Sequence, residues 1–462
     1  MTATGERQRR VGFLAGWSAR MRERYAHEGM GPTIARGAIW SMAISGGGSA
    51  VALGVQMLLT RSLGQVEYGR YLYALAWMNT ALLLGKLELD TTALRFVGTY
   101  NGAREWPLLS GFLRRARQVA LVGSIAVAVV GALVVWFARS AIAPELVTSL
   151  WAACVLLPVT GLTLVNASCL QGFKRVPQSQ APNAVMRPVL FGAGVVIAAY
   201  GFGVTLNAPR AIGLNLLASI PVLLLTMKFL RDVTPAEARL AAPRYETSRW
   251  LRTALGLLAI AGAQTVLGTQ VDVLVVGTLL TTTDAGIYGA ASQLAALIFF
   301  GVSAVVFIAL PMLSDLHARG RHEDLQHLVN LLQLATLAVC LPALAVMVFE
   351  GDRLLGWFGA GFVVGFPVLV VLSGSAFIGA TTGLLAGFLL ALTGHERQAA
   401  VVIIGCAVLN LALSLALTRA FGAIGTAVAT MTTTFVRGLL LMVYCWKLLR
   451  VRLVPVGSAG AR

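Results

Sequence analysis

The sequence predicts an all-α polytopic membrane protein of about twelve transmembrane helices, arranged as two six-helix bundles with both termini in the cytoplasm. Hydrophobic residues make up 57% of the 462 residues and charged residues only 12%, whereas soluble domains carry roughly 25% charged residues. The mean hydropathy is +0.79. Apolar runs of membrane-spanning length and a motif that recurs half a chain apart complete the case for this fold class.

Twelve apolar runs are long enough to cross a bilayer, which takes about 20 residues of α-helix. They lie near 35–59, 70–90, 117–138, 147–170, 183–201, 209–230, 253–280, 287–311, 328–349, 362–391, 399–418 and 421–446. The expected organisation is an N-terminal bundle (35–230), a cytoplasmic linker (231–252), a C-terminal bundle (253–446) and a cytoplasmic tail (447–462). The basic segment 1–34 suits an interfacial helix and a disordered tail equally well.

The orientation follows from the 36 Lys and Arg residues. Most of them fall on the side that an even number of spans assigns to both termini, and the positive-inside rule makes that side the cytoplasm. The net charge of +17 therefore reflects topology and does not indicate a nucleic-acid partner. Since every loop is short, no extramembrane segment can hold a soluble catalytic domain, and we expect a transporter and not an enzyme.

A short motif is repeated in the two halves of the chain. Glu67, Gly69 and Tyr71 recur as Asp284, Gly286 and Tyr288, as expected for a duplicated bundle, although so short a match can also arise by chance. We interpret each copy as a polar turn between two spans, with a glycine for an awkward backbone angle and a tyrosine at the membrane interface.

Motifs for cofactors are absent from the sequence. There is no glycine-rich phosphate loop, and His322 and His327 are five residues apart, which puts them on different helix faces and excludes one shared zinc ion. The five cysteines all fall in apolar runs and are expected to be small buried side chains. No metal or cofactor is predicted, apart from a coupling proton or sodium ion.

Cations within the spans are the candidates for binding an anionic substrate. A charge at mid-membrane depth costs about 2.5–3.5 kcal/mol, so Arg437 should face protein or water. Snorkelling is an equal alternative for Lys86, and ordinary anchoring is the alternative for Arg36 and Arg187. The candidate ligands of a pyrophosphate and its sugars are Arg437, Lys86, Arg187, Arg36 and the threonines on the face of Arg437, Thr426, Thr430 and Thr433.

The seventh span contains an acidic residue well inside the membrane. Thr265, Thr269 and Asp272 are spaced to lie on one face of a continuous helix. Asp272 could bind a coupling proton or sodium ion, and it could equally form a structural hydrogen bond to a neighbouring helix.

Several longer segments carry a resemblance to a known family. They are LTRSLGQVEYGRYLYAL, LDTTALRFVGTY, GFKRVPQSQAPNAVMRP, QVDVLVVGTLLTTTDAGIYGAASQL and LTGHERQAAVVIIGCAVLNLALSLALTRAFGAIGTAVAT. Together they resemble polysaccharide-biosynthesis flippases of the Wzx/PST type, in the multidrug/oligosaccharidyl-lipid/polysaccharide (MOP) superfamily. The positions that match are Arg61, Leu63, Gly64, Gly69, Tyr71, Asp90, Arg95, Asp272, Gly286, Tyr288, Gly394, His395 and Glu396.

The resemblance implies a MATE/MOP-like pair of bundles that moves a polyprenyl-pyrophosphate-linked oligosaccharide across a bacterial inner membrane by alternating access. It also implies membrane lipids and polysaccharide polymerase or export proteins as partners, in the synthesis of a surface polysaccharide such as an exopolysaccharide or O-antigen. The first span carries no charge beyond Arg36, whereas the lipid II flippase branch usually places arginine there. A lipid II flippase, a cation or drug antiporter and a non-transporting scaffold of an assembly complex are the alternatives.

Overall fold

The computed structural model describes residues 31–451, and all of the regular secondary structure in this range is helical. The expectations for residues 1–30 and 452–462 lie outside the described residues. The helices are α1 (Gly31–Lys86), α2 (Leu89–Ala103), α3 (Trp106–Ala138), α4 (Pro144–Gly172), α5 (Val176–Gly201), α6 (Ala208–Val233), α7 (Ala236–Leu240), α8 (Thr247–Val266), α9 (Thr269–Leu279), α10 (Thr282–Ala318), α11 (His322–Phe349), α12 (Gly351–Gly356), α13 (Ala360–Ala391), α14 (Glu396–Phe421) and α15 (Ala423–Leu449).

The first two predicted spans form one long helix. Helix α1 runs for 56 residues and is interrupted only at Gly64, whose φ of 72° and ψ of 177° are not helical. A side chain is strained at such a positive φ, so glycine suits the break. The prediction of a polar turn at the first motif copy, Glu67 to Tyr71, is therefore wrong, because the chain kinks only at Gly64 and is helical through these residues.

Eight helices of the described chain are long and apolar enough to cross a membrane, or nine if a bent pair counts as one span. At 1.5 Å per residue, α1 has about the length of two spans and α10 at least that of one. The chain is thus a multi-pass, all-helical membrane protein, while the count of twelve spans and the cytoplasmic placement of the termini stay predictions.

The predicted seventh span is broken in two. Helices α8 and α9 are separated at Leu267 and Gly268 and meet at an angle of 57°. The prediction that Thr265, Thr269 and Asp272 share one continuous helix is therefore wrong. Non-helical backbone at membrane depth is tolerated where it is buried in protein or lines a polar cavity, and Gly268 is flanked by the polar residues Gln264, Thr265, Thr269 and Gln270.

The two halves share an apolar core at one end and have mostly separate cores at the other. The shared core joins α1 and the first part of α6 to α9, α10 and α13. A second core lies among α2, α3, the end of α4 and the start of α8. A third lies among the end of α10, the start of α11 and helices α13 to α15. The halves are therefore lobes held together at the end where the repeated motifs lie.

The repeated glycines form this contact between the lobes. A Cβ atom added to Gly69 would lie 2.0 Å from the carbonyl oxygen of Thr282, and one added to Gly286 would lie 2.8 Å from the Cα of Gly69. Nearby, the hydroxyls of Tyr73 and Thr278 are 2.9 Å apart. The two motif glycines serve a close helix–helix approach, and the awkward backbone angle expected for them is instead found at Gly64.

Candidate functional site

A buried polar network in the C-terminal lobe is centred on Asp272. This residue is 3% exposed, and its Oδ2 accepts hydrogen bonds from the hydroxyls of Tyr288 and Thr430, each at 3.0 Å. Three helices, α9, α10 and α15, therefore converge on one carboxylate. The structure joins Asp272, expected as an ion-coupling residue, to Thr430, expected as a substrate ligand.

Further oxygens near this carboxylate have no hydrogen-bond partner among the described residues. Asn410 on α14 lies beside Asp272 and donates from Nδ2 to the Val266 carbonyl at the helix break, at 3.4 Å. Oδ1 of Asp272 and Oδ1 of Asn410 are buried and unpaired. Buried polar atoms are normally satisfied, so this group of oxygens has the chemistry to take a proton or a hard cation.

A second network, in the N-terminal lobe, is centred on Tyr71. Asn215 on α6 donates from Nδ2 to the Tyr71 hydroxyl at 3.2 Å. Its Oδ1 accepts from Nε and Nη2 of Arg187 on α5, at 3.1 Å and 2.9 Å. The ring of Tyr71 stacks on Phe191 with 6.2 Å between centroids. Arg187 is half-buried, and a neutral amide holds it, so its positive charge is not cancelled in this network.

The two networks occupy corresponding places in the two lobes. Each contains the tyrosine of the repeated motif, Tyr71 or Tyr288. Each also uses the eighth residue of the last helix of its lobe, Asn215 in α6 and Thr430 in α15. The charged member differs, because Arg187 makes the N-terminal network cationic and Asp272 makes the C-terminal network anionic. The two networks thus have opposite charges around corresponding tyrosines, while the charged members themselves lie on different helices of the two lobes, Arg187 on α5 and Asp272 on α9.

Two of the other predicted cations, Lys86 and Arg437, differ in their surroundings. Lys86 bonds from Nζ to Glu88 at 2.8 Å and to Asp90 at 2.7 Å, so two carboxylates already surround it. Arg437 is half-buried near Cys406, and no described acidic side chain lies within ion-pair distance of it. Arg437 therefore remains available to a negatively charged ligand, whereas Lys86 is engaged within its own turn.

The other predicted residues are distributed around these networks. Thr426 is buried and its hydroxyl lies 2.6 Å from that of Thr418. Thr433 is buried, with no partner for its hydroxyl in the described part of the chain. Thr265 bonds back to the Ala261 carbonyl at 2.9 Å, while Thr269 is exposed beyond the break. Arg36 lies in α1, and its side chain falls outside the described residues.

Sequence reasoning missed the two asparagines that organise the networks. Asn215 and Asn410 are each a lone amide inside an apolar run, and a polar side chain in lipid usually hydrogen-bonds a neighbouring helix. That signal was present in the sequence and could have singled out both residues.

Comparison with known proteins agrees with this architecture. The model of the family described as "Polysaccharide biosynthesis protein" matches residues 34–317. A curated relative, "Probable low-salt glycan biosynthesis flippase Agl15" of Haloferax volcanii, is 24% identical over 264 residues. That match covers 57% of this chain and 54% of the relative, so it spans about half the length of that protein.

Two solved structures are similar over most of the chain. An inward-facing multidrug resistance MATE family transporter of the MOP superfamily gives a TM-score of 0.67 at 14% identity, covering 89% of this chain and 98% of the other. The lipid II flippase MurJ in an inward closed conformation gives 0.63 at 15% identity, covering 88% and 87%. Identities this low show the fold alone.

The helical lobes and their similarity to these solved structures define the class as a multi-pass helical membrane protein with the fold of the MOP superfamily. Within that class, the chain belongs to the polysaccharide biosynthesis protein family, whose model covers well over half of it.

Proposed function

We propose that the protein is a flippase that moves a lipid-linked oligosaccharide on a polyprenyl pyrophosphate from the cytoplasmic to the outer leaflet of a bacterial inner membrane. The observation that carries the proposal is the pair of oppositely charged networks, built around the corresponding tyrosines Tyr71 and Tyr288, inside a family member of this fold. Arg187 of the N-terminal lobe and Arg437 of the C-terminal lobe can bind the substrate phosphates, while the network around Asp272 binds a coupling ion. The termini are cytoplasmic in this proposal, and polysaccharide polymerase or export proteins act downstream.

Arg437 and Arg187 are the proposed ligands of the pyrophosphate. Arginine binds phosphate oxygens through paired hydrogen bonds, and neither of these guanidinium groups is paired with a described carboxylate. Of the threonines on α15, Thr433 is the one whose hydroxyl has no partner among the described residues, whereas Thr426 is bonded to Thr418 and Thr430 to Asp272. Lys86 is left as a weaker candidate because Glu88 and Asp90 already offset its charge.

Alternating access is the proposed mechanism, without ATP hydrolysis in this chain. The lobes share one core near the repeated motifs, and their cores separate toward the opposite end. By the charge distribution, the separated end is the cytoplasmic end. A substrate entering there would meet both lobes, and breaking the contact between Gly69 and Gly286 would open the other side.

The test is surface polysaccharide production in a strain lacking the gene, complemented with the wild type, Arg437→Ala or Arg437→Lys at matched membrane levels. Lys447→Ala is the matched control, because Lys447 is exposed on the same helix. We expect Arg437→Ala to abolish export, with lipid-linked intermediate retained in the cytoplasmic leaflet, and Lys447→Ala to behave as wild type. Normal export by Arg437→Ala would remove Arg437 from the substrate site.

Asp272 is the proposed coupling residue for a proton or sodium ion. Asp272→Asn preserves the shape of the network and removes its charge, so flipping should lose its dependence on an imposed ion gradient. Unchanged gradient dependence in Asp272→Asn would leave Asp272 a structural role only. If the deletion strain makes normal polysaccharide and instead becomes sensitive to cationic drugs, the antiporter alternative replaces the flippase.

A further inference from the structure

A basic pocket lies at the edge of the N-terminal lobe, away from both charged networks. It has a volume of about 330 Å³ and lies between α3, the end of α6 and the short helix α7. Four arginines line it: Arg114 and Arg117 from α3, Arg231 from α6 and Arg239 from α7. No acidic side chain lines the pocket.

The positive charge of this pocket is not cancelled by the protein. None of the four arginines is within ion-pair distance of an acidic residue among residues 31–451. Arg117 bonds from Nε to the Leu113 carbonyl at 2.9 Å, which fixes its side chain along α3 and leaves its other nitrogens for a ligand. Four like charges around one hollow repel each other, so an anion between them would relieve that repulsion.

The floor of the pocket is apolar, and two apolar helix faces lead away from it. Leu113 and Leu230 are buried and form its lining with Met227. On α3, the exposed face continues from Arg114 through Gln118 to Val122, which is 66% exposed, and then to Ile125 and Val129.

The matching face of α6 has the same order. From Arg231 it passes through Lys228 to Leu224, which is 60% exposed, and then to Ile220 and Leu217. Each helix therefore presents cations at one end of its exposed face and apolar side chains over the following turns. This pattern matches a molecule with an anionic head and two hydrocarbon chains.

We propose that this pocket binds the phosphate headgroup of an anionic phospholipid, whose acyl chains lie along the exposed faces of α3 and α6. Basic pockets between transmembrane helices at the cytoplasmic side are a recurring way to bind such headgroups. Arg231 lies just before the connection between α6 and α7, and Arg239 lies just after it. The bound lipid therefore holds this connection, which leads to the C-terminal lobe, against α3 of the N-terminal lobe.

The test is retention of phosphatidylglycerol by the full-length protein, measured by native mass spectrometry after reconstitution in mixed phosphatidylglycerol and phosphatidylcholine. The pocket variant replaces Arg114, Arg117, Arg231 and Arg239 with Gln. The control variant replaces the exposed arginines Arg104, Arg175, Arg252 and Arg397 with Gln, so the net charge of the two variants is equal. We expect the pocket variant to retain at least about tenfold less phosphatidylglycerol, and the control variant to match the wild type.

Equal loss of phosphatidylglycerol in the two variants would overturn the proposal, because retention would then depend on net charge alone. No loss in either variant would also overturn it, because retention would then not depend on these arginines. Inorganic pyrophosphate distinguishes the phosphate source. If it binds through the four arginines in pure phosphatidylcholine while phosphatidylglycerol does not, the site takes a soluble phosphate and the lipid assignment is wrong.

The wild type provides a measurement that does not depend on the folding of a variant. Its phosphatidylglycerol retention should fall as salt is raised, since salt screens exposed charge. Its phosphatidylcholine retention should not change. A salt-independent preference for phosphatidylglycerol would contradict a headgroup site built on arginine charge.

Discussion

Gly69 and Gly286, which occupy the same position in the two copies of the repeated motif, pack against each other across the two lobes. A Cβ on Gly286 would lie 2.8 Å from the Cα of Gly69, and a Cβ on Gly69 would lie 2.0 Å from a backbone oxygen. The two copies of the motif therefore contact each other where the lobes meet, and a small residue is needed in both.

Gly69→Ala should weaken closure of the lobes at this end. The added methyl group meets rigid backbone, and overpacking of this kind costs about 1–3 kcal/mol. We expect the distance between spin labels at the exposed positions Val66 and Val364, one on each lobe, to shift to longer values. Gly54→Ala on the same helix is the control, because nothing lies within 4 Å of a Cβ there. An unchanged distance distribution in Gly69→Ala would show that this contact does not hold the lobes together.

Asn215→Ala should destabilise the N-terminal lobe. It removes the acceptor of Arg187 and the donor to Tyr71, and leaving such buried groups unpaired costs about 1–3 kcal/mol. Thermal unfolding of the purified protein would show the loss as a lower midpoint. Asn330→Ala, at an exposed position, should leave the midpoint unchanged, and an equal effect of both changes would argue against the network.

Lys86 and Asp90 should be energetically coupled. Residues in direct contact give interaction energies of about 0.5–3 kcal/mol in a double-mutant cycle. We expect an interaction energy in this range for Lys86→Met and Asp90→Asn. Unfolding midpoints of the two single variants and the double variant measure this coupling. Additive effects would mean that the ion pair contributes nothing to stability, and the prediction of Lys86 as a pyrophosphate ligand would regain weight.

Sodium should stabilise the wild type if the oxygens around Asp272 bind it. A ligand at ten times its dissociation constant stabilises the folded state by about 1.4 kcal/mol. The unfolding midpoint should therefore rise with sodium chloride relative to choline chloride, and Asp272→Asn should show no such rise. A flat response in the wild type would leave the proton as the candidate coupling ion.

The amino-acid sequence predicts the architecture but not the details that depend on contacts between distant residues. Composition and the lengths of the apolar runs predicted an all-helical membrane protein. A bilayer requires apolar segments of about 20 residues whose backbone hydrogen bonds are made within the segment, and a helix meets both requirements. The repeat was visible as Glu67–Tyr71 and Asp284–Tyr288, yet the role of Gly69 depends on what it packs against, which no local pattern reveals.

The break between α8 and α9 shows a similar limit. The apolar run 253–280 contains four glycines, and the sequence does not show which of them, if any, ends a helix, because the bend depends on the surroundings. The hydrogen bond between Thr430 and Asp272 could not be predicted from the sequence either, because the two residues are 158 positions apart and only the fold brings them together. Only the isolated amides Asn215 and Asn410 were local signals that could have been recognised.

The 57° break has an electrostatic consequence for Asp272. Because α9 starts at Thr269, the carboxylate lies in the first turn of a new helix. The free N–H groups there carry a partial positive charge that favours an anion by about 0.3–1 kcal/mol or more when partly buried. The start of α9 therefore supplies part of the counter-charge, and the backbone itself lowers the cost of an ionised carboxylate at Asp272 inside the membrane.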